Sequence, residues 1–180
     1  MKIYVIRHGQ TVWNAKGIIQ GHSQNRLSKT GKAQVEESAL KLKNEKIDLI
    51  ISSPLMRTMQ TANIMNQYHG VKIIKNEKII ENHQGIFTGR KKSDLTQKEL
   101  EQKLKMSKDA KMETMEEVEA RTRKFMDEIK HKYSDKTLLV VTHNIVASAI
   151  ESIAKYNKFD KEIFVKKITF DNAELKKIEI

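Results

Sequence analysis

Three polar clusters in the sequence hold the side chains best suited to chemistry. Arg7 and His8 directly follow one short apolar run, Ser53 and Arg57 follow a second, and His143 follows a third. Arginine presents a planar fork of donors that matches anions, and histidine titrates near neutral pH. Two arginines and two histidines brought together would form a site for a tetrahedral dianion such as phosphate. Each cluster alone would also fit an ordinary exposed loop. Whether the three clusters form one site therefore depends on whether the fold brings them together.

The apolar runs before these clusters are predicted to be strands of one sheet. Residues 3–6, 48–52 and 136–141 are short and rich in β-branched or aliphatic residues, as buried strands are. Amphipathic segments separate them, which predicts an α/β fold of three layers (α/β/α): a mostly parallel sheet with helices on both faces. Open α/β sheets bind ligands at the carboxyl ends of their strands. We therefore expect the three clusters to share one site.

Capping residues predict where the first helices begin. Ser28 or Thr30 can cap the helix that follows the first loop. Ser53 is expected to be the N-cap of the next helix and Pro54 its first residue. This arrangement would place Arg57 in the first helical turn, at the same sheet edge as the first cluster.

The second half of the chain adds a short strand, a long helix and a terminal hairpin. Residues 71–75 are predicted to form the short strand, and a capping box from Thr114 to Glu117 begins the long helix. Residues 163–170 and 173–180 alternate in polarity around Asp171-Asn172. This pattern predicts an antiparallel hairpin at the edge of the sheet.

Residues 1–180 are expected to form one domain with a basic excursion at residues 90–112. The chain has one Pro, seven Gly and no linker-like tract. The excursion is rich in lysine and carries Leu95, Leu100 and Leu104 at helical spacing. We expect it to be a helical insertion or lid over the site.

The composition narrows the class of protein. The formal net charge is +11, but the lysines are spread along the chain and aromatic residues make up 6%. This pattern argues against nucleic acid as a partner and favours attraction of small anions. The chain has no cysteine, and no apolar run approaches the roughly 18 residues that span a membrane. We expect a cytoplasmic protein without a disulfide, a thiolate metal site or a membrane partner.

Five motifs in order along the chain carry a family resemblance. They are Arg7-His8-Gly9-Gln10-Thr11 with Asn14, Ser52-Ser53-Pro54-Leu55-Met56-Arg57, Gln60-Thr61-Ala62, Glu81 ahead of Gly85, and Thr142-His143. With these motifs the sequence resembles the histidine phosphatase superfamily, the phosphoglycerate mutase-like enzymes, and within it the phosphatase branch. The resemblance implies the phosphoglycerate mutase-like fold and phosphoryl transfer through a phosphohistidine.

The resemblance also implies a role for each motif residue. His8 would be the nucleophile, Glu81 the proton donor, and Arg7, Arg57 and His143 would hold the phosphoryl group. These groups can accommodate the charge of a phosphate without a metal or other cofactor. The residues expected to bind the phosphate or the substrate beside them are Asn14, Thr11, Gln20, Gly21 and Asn144.

The predicted activity is hydrolysis of a small phosphomonoester, with phosphate, vanadate or tungstate as competing anions. A phosphoglycerate mutase-type transfer is the alternative, because Arg90-Lys91-Lys92 offers cations that could retain a bisphosphate. Against it, Asn82 follows Glu81 where mutases carry Arg, Gln20-Gly21 is similar to the phosphatase branch, and the sequence ends at the predicted edge strand. A catalytically silent phosphoryl-binding module is weakened by the competent residues at every chemical position. The substrate and the oligomeric state stay open.

Overall fold

A central β-sheet determines where the site can lie. The computed structural model describes residues 1–160, 162, 164 and 168–180. Its strands are β1 (Lys2–Arg7), β2 (Leu49–Ser52), β3 (Ile73–Lys75), β4 (Leu138–Thr142) and β5 (Leu175–Glu179). Within the described residues they form one sheet in the order β3-β2-β4-β1-β5. β1 to β4 are parallel, and β5 lies antiparallel to β1 at the edge.

Helices cover both faces of this sheet. Residues of α2 (Lys29–Leu42) and α3 (Met56–Met65) pack in the core on one face, and residues of α5 (Met115–Tyr133) and α6 (Asn144–Tyr156) pack in the core on the other. No helix in the described part of the chain is long and apolar enough to cross a membrane. The α-helices are α1 (Val12–Ala15), α2 (Lys29–Leu42), α3 (Met56–Met65), α4 (Gln97–Leu104), α5 (Met115–Tyr133) and α6 (Asn144–Tyr156). Short 3-10 turns lie at Asn66–Tyr68, Glu77–Ile79, Gly85–Phe87, Lys92–Asp94 and Lys108–Ala110.

The central strands are apolar along their whole length because both of their faces are buried. In β1, Ile3 and Val5 belong to the core under α5 and α6, whereas Tyr4 and Ile6 belong to the core under α2 and α3. Successive side chains of a strand point to opposite faces of the sheet, so a covered sheet needs apolar residues at every position. The predicted three-layer α/β fold with a mostly parallel sheet is confirmed.

The start of α3 differs from the prediction. The helix begins at Met56, with Leu55 at the N-cap and no side-chain capping bond. The prediction of Ser53 as N-cap and Pro54 as first helical residue was wrong, because the Ser53 hydroxyl hydrogen-bonds a histidine of the site instead. Arg57 still lies in the first turn of the helix, as predicted.

Other caps follow the sequence. Ser28 caps α2 by accepting the Gly31 amide at 2.9 Å. Thr114 and Glu117 form the predicted capping box of α5. Both cases place an oxygen acceptor in front of a free amide of the first helical turn, which is the favourable arrangement.

The predicted terminal hairpin is present in part. β5 is the expected antiparallel edge strand, and a turn at Asn172 and Ala173 precedes it. The first half, residues 163–170, falls partly outside the described residues, and its described end, 168–170, is not in a strand. Residues 71–75 also contain a shorter strand than predicted, β3, which starts at Ile73.

Candidate active site

Arg7 is the last residue of β1. The loop that follows carries His8 and is packed against the first turn of α2. A Cβ atom added to Gly9 would lie 2.4 Å from the Gly31 carbonyl oxygen. The Ser28 amide donates to the Gln10 carbonyl at 2.9 Å. Glycine at both positions therefore lets two backbones approach closely, which fixes the loop that presents His8.

His8 is 2% exposed and has a defined tautomer. Its Nδ1 lies 2.8 Å from the Gly9 carbonyl oxygen. A carbonyl only accepts hydrogen bonds, so Nδ1 carries the proton and Nε2 keeps its lone pair. Burial, then the charges of Arg57 and Arg7, hold the pKa of His8 well below 6.5. The imidazole is therefore neutral at neutral pH, which is the form that can attack an electrophile.

The turn at Asn172 and Ala173, just before β5, also holds the backbone of His8. The Asn172 side-chain amide and the Ala173 backbone amide both donate to the His8 carbonyl, at 3.1 and 3.2 Å. The Ser38 hydroxyl of α2 in turn donates to the Ala173 carbonyl at 2.7 Å. Sequence reasoning identified this turn but gave it no role in the site.

Arg57 reaches from α3 into the site and is 1% exposed. Its guanidinium donates to the carbonyls of Gly21 and Ser23 at 2.8 and 2.9 Å. Its Nε donates to Nδ1 of His143 at 3.3 Å. Burial lowers the pKa of Arg57 to about 10. The guanidinium stays cationic at neutral pH, and its hydrogen bonds to Gly21, Ser23 and His143 fix its position.

His143, at the N-cap of α6, is fully buried beside His8. The two imidazole rings meet edge to face with centroids 5.2 Å apart. Because Arg57 can only donate, His143 Nδ1 is unprotonated, and Nε2 carries the proton and donates to the Ser53 hydroxyl at 2.8 Å. Burial, then Arg57, keeps the pKa of His143 well below 6.5. The ring supports Arg57 and is not part of the cavity wall.

Arg7 is oriented by residues from the end of the chain. Its Nη1 donates to the Phe170 carbonyl at 2.6 Å, and the Phe170 amide donates to the Asn144 side-chain oxygen at 2.9 Å. Arg7 Nε is buried and has no partner among the described residues. Burial lowers the pKa of Arg7, and the charge of Glu81 opposes this effect. A buried donor without a partner is costly, and a bound anion would satisfy it.

Glu81 lies on the loop after the Glu77–Ile79 turn and faces the same cavity. One carboxylate oxygen accepts the Asn82 amide at 3.0 Å. The His22 Nε2 atom lies 2.7 Å from the Glu81 carbonyl oxygen, so it donates to it. The structure thus brings the predicted acid near the cations although they are far apart in the chain.

The remaining predicted binding residues divide into two groups. Asn14, Gln20, Gly21 and Asn144 line the cavity, whereas Thr11 is fully buried behind it. The Thr11 hydroxyl accepts the Asn14 amide at 3.0 Å and donates to Gln20 Oε1 at 2.9 Å. Thr11 therefore orients two cavity residues and has no surface on the cavity itself.

The cavity has a volume of about 730 Å³. Lys92 and Lys103, from the excursion at residues 90–112, also line it. Sequence reasoning missed Lys103, because it is one of many lysines in that segment and nothing in the pattern distinguishes it. No group of three His, Asp or Glu residues that could hold a metal ion occurs in the described residues. The apolar part of the lining comprises Ile18, Ile19, Leu100, Leu104, Met106, Met112, Met115, Ile145 and Phe164.

Two curated proteins are similar to this chain in sequence. A probable phosphoglycerate mutase GpmB of Photorhabdus laumondii is 31% identical over 156 residues, 83% of this chain and 73% of the relative. Phosphoserine phosphatase 1 of Hydrogenobacter thermophilus is 29% identical over 156 residues, 83% of this chain and 74% of the relative.

The fold and the family are shown by two further matches. The structure of Bacillus stearothermophilus YhfR superposes with a TM-score of 0.89 at 20% identity, covering 99% of this chain and 91% of YhfR. The family model of the histidine phosphatase superfamily (branch 1) matches residues 3–180. The chain therefore belongs to the histidine phosphatase superfamily.

Proposed function

We propose that the protein hydrolyses a small phosphomonoester through a phosphohistidine formed on His8. The observation that carries this proposal is the state of His8: its Nδ1 is committed to the Gly9 carbonyl, and its Nε2 is free beside two arginines. Arg7 and Arg57 line the same cavity as His8. A neutral imidazole next to paired guanidinium groups is suited to attack a phosphate dianion.

Two steps complete the proposed reaction. His8 Nε2 bonds to phosphorus as the bond to the leaving oxygen breaks, and Glu81 gives that oxygen a proton. Water then attacks the phosphohistidine, Glu81 takes a proton from the water, and the N–P bond breaks to release phosphate. Arg7 and Arg57 offset the charge on the equatorial oxygens in both steps.

His143 has a supporting part in this proposal. In the structure its protonated Nε2 donates to Ser53, and its Nδ1 accepts from Arg57. It thereby fixes the guanidinium that faces the phosphate. Direct donation to a phosphate oxygen would require the ring to give up the Ser53 contact.

We place the excursion at residues 90–112 as a wall or lid of this single-domain enzyme. Its helix α4 presents Leu100, Lys103 and Leu104 to the cavity. The Ile19 amide donates to the Arg90 carbonyl at 2.9 Å, so the excursion is tied to the loop that carries Gln20. We expect the leaving part of a substrate to lie against this wall of the cavity.

A mutase is the second candidate, and Lys92 and Lys103 favour it because they add cations to the cavity. Hydrolysis is favoured by the loop beside Glu81. Asn82 is fully buried there, and its side-chain nitrogen donates to the Glu113 carbonyl at 3.0 Å. That position therefore supplies a neutral structural contact rather than a cation for a bisphosphate. Relatives of both kinds occur in the family, as the phosphoserine phosphatase and the probable mutase illustrate.

Rapid quenching with a labelled phosphomonoester tests the proposed intermediate. The wild-type protein should give an acid-labile, base-stable phosphoenzyme, because phosphohistidine is an N–P compound. His8→Ala should form none. His131→Ala, which removes an exposed histidine of α5, serves as the matched control and should give the wild-type burst. Direct transfer to water without an adduct, under conditions that resolve a burst, would refute the mechanism.

Chelation tests whether a metal takes part. We expect the rate of phosphate release to stay unchanged after extensive dialysis against a chelator, because Arg7 and Arg57 already supply the charge that a phosphate dianion needs. Phosphate, vanadate and tungstate should inhibit competitively by binding between these groups. A loss of activity that one added divalent metal restores would overturn this part of the proposal.

A further inference from the structure

A short turn at residues 20–23 lies between the phosphate-binding arginine and the loop of the proposed proton donor. Arg57 donates to the backbone carbonyls of Gly21 and Ser23, at 2.8 and 2.9 Å. The residue between these two carbonyls is His22. The guanidinium of Arg57 therefore fixes the stretch of backbone that carries the His22 side chain.

Gly21 packs this turn against the loop that carries Glu81. Its φ is +48°, in the left-handed region that favours glycine. A Cβ atom at this position would lie 2.9 Å from the Thr88 hydroxyl oxygen and 3.2 Å from Cβ of Gln84. The turn and the residues after Glu81 are therefore in close contact, and His22 follows directly in the chain.

The His22 side chain spans the contact between the turn and the loop. Its Nε2 donates to the Glu81 backbone carbonyl at 2.7 Å. Its ring also meets the ring of His83 edge to face, with the centroids 5.1 Å apart, which is an arrangement that aromatic rings prefer. One side chain thus contacts the loop at Glu81 itself and again two residues later.

Both histidines of this pair, His22 and His83, are exposed to solvent. An exposed hydrogen bond exchanges with water and adds little to the stability of the fold. The fold is held instead by the two apolar cores on the faces of the sheet. The contacts of His22 therefore act locally, on the backbone of Glu81. Because proton transfer depends on where the donor is placed, such a local restraint affects catalysis directly.

We propose that His22 is a positioning residue, which holds the backbone of Glu81 at a fixed place relative to the guanidinium of Arg57. This inference rests on the proposed phosphatase function, in which Glu81 gives a proton to the leaving oxygen and Arg57 faces the phosphate. It adds a link between these two groups, because the acid and the phosphate site share the turn at residues 20–23.

Two substitutions of His22 test the hydrogen bond to Glu81. His22→Phe keeps an aromatic ring against His83 but removes the donor. We expect kcat/KM for propyl phosphate to fall roughly 5- to 50-fold, because a displaced acid protonates the alkyl leaving group less well. For p-nitrophenyl phosphate, whose leaving group departs without a proton, kcat/KM should change less than about threefold. His22→Gln, which offers a side-chain N–H at a similar reach, should restore most of the propyl phosphate activity.

Three measurements separate positioning from a structural role. His131→Phe replaces an exposed histidine of α5 and should keep both rates. The inhibition constant of inorganic phosphate should change less than about threefold in His22→Phe, because Arg57 is bound by backbone carbonyls of the turn and not by the His22 ring. In a Glu81→Gln background, His22→Phe should lower the propyl phosphate rate by less than about threefold, since the donor to be positioned is already gone.

The outcomes distinguish the inference from the proposed function. An unchanged preference between the two esters in His22→Phe would overturn the inference while hydrolysis of both left the proposed function standing. Equal losses for both esters, or weaker phosphate inhibition, would also overturn it, since His22 would then support the turn itself. A full additional loss in the Glu81→Gln background would do the same. Failure of the wild type to hydrolyse any ester would instead refute the proposed function.

Discussion

In the proposed mechanism His8 accepts the phosphoryl group and Glu81 transfers the protons. His8 is buried and neutral, so it can act as nucleophile without prior deprotonation. Glu81 is the one carboxylate on the cavity wall within the described residues. A carboxyl group at this place can protonate a leaving oxygen and then accept a proton from water.

Glu81→Gln should therefore separate substrates by the basicity of their leaving group. General acid catalysis typically contributes about 100- to 10,000-fold, so kcat/KM for an alkyl phosphate should fall by about that factor. p-Nitrophenyl phosphate should lose much less, because its leaving group departs without a proton. The measurement uses kcat/KM, which reports the steps up to formation of the phosphoenzyme when that formation is irreversible.

Asp94→Asn is a suitable control for this substitution. Asp94 is exposed in the excursion, where it accepts a hydrogen bond from Ser93, and it does not line the cavity. This variant should keep both rates. Equal losses for alkyl and aryl esters in Glu81→Gln would mean that Glu81 acts in binding or structure and is not the proton donor.

The sequence indicated the reactive residues but not their hydrogen-bond states. Arg7, His8 and His143 could be located because each follows an apolar strand, and strand ends meet at one edge of a parallel sheet. The tautomers of the two histidines depend on a carbonyl, a guanidinium and a hydroxyl from other parts of the chain. Such contacts between distant segments leave no pattern in a single sequence.

The loop of Glu81 is held by a structural element outside the cavity. Arg121 of α5 forms a two-pronged ion pair with Glu113, at 2.6 and 3.0 Å, and donates to the Lys78 carbonyl at 2.7 Å. Glu113 in turn holds the loop, because its backbone amide donates to the His83 carbonyl at 3.1 Å and its carbonyl accepts from the Asn82 side chain at 3.0 Å. The long helix α5 thereby fixes where Glu81 can stand.

Arg121→Met should loosen this loop without removing any cavity residue. Small displacements of a catalytic group cost up to about 100-fold in rate, so we expect kcat/KM for an alkyl phosphate to fall roughly 10- to 100-fold. Aryl phosphates should lose less, because they do not depend on the Glu81 proton. Hydrogen exchange of the amides at residues 81–84 should become faster in the same variant.

Arg123→Met is the matched control for Arg121→Met, because both arginines lie on α5. Arg123 pairs with Glu119 and with Asn157, away from the Glu81 loop. Its removal should leave the alkyl-to-aryl ratio and the exchange at residues 81–84 unchanged. If Arg121→Met lowers both substrate classes equally, the Arg121 to Glu113 pair supports overall stability and does not position Glu81.

Elements were predictable where local chemistry decides them. The capping boxes and the amphipathic spacing of α5 act within a few residues, so the sequence shows them directly. Ser53 had the same local signature, but a buried contact with His143 took its hydroxyl away from the helix start. A tertiary hydrogen bond in the site thus overrode a local capping preference.

At the scale of the whole molecule, the two cores determine the fold and also bury the site. The alternation of apolar strands and amphipathic helices was enough to predict the three layers, because both faces of the sheet must be covered. The same layers enclose His8 and His143 between the helix layers and lower the pKa of each well below 6.5. Folding therefore disfavours protonation of these two histidines, and partial burial also lowers the pKa of His69.

This burial makes stability depend on pH in a defined direction. Between the lowered native pKa values and 6.5, the unfolded chain binds protons that the folded chain does not, so the free energy of unfolding rises with pH up to about 6.5. Each such histidine contributes at most about 1.4 kcal/mol per pH unit. Carboxylates do not obscure this window, because they titrate at lower pH. The pKa values of Glu99 and Glu128, for example, are lowered from 4.5 to about 2.

Denaturant unfolding at about pH 5.5, 6.5 and 7.5, in buffers without phosphate, measures this dependence. The free energy of unfolding of the wild type should fall between about pH 6.5 and 5.5. His143→Gln should lose roughly a third to a half of that fall, because His8 and the partly buried His69 keep their lowered pKa values. His131→Gln, in which the replaced histidine is exposed on α5, should keep the wild-type dependence. Phosphate is left out because an anion that binds only the folded state would stabilise it and mask the protons. Identical pH dependence in the wild type and His143→Gln would show that His143 takes up a proton in the folded protein, and the neutral imidazole assigned to it here would be wrong.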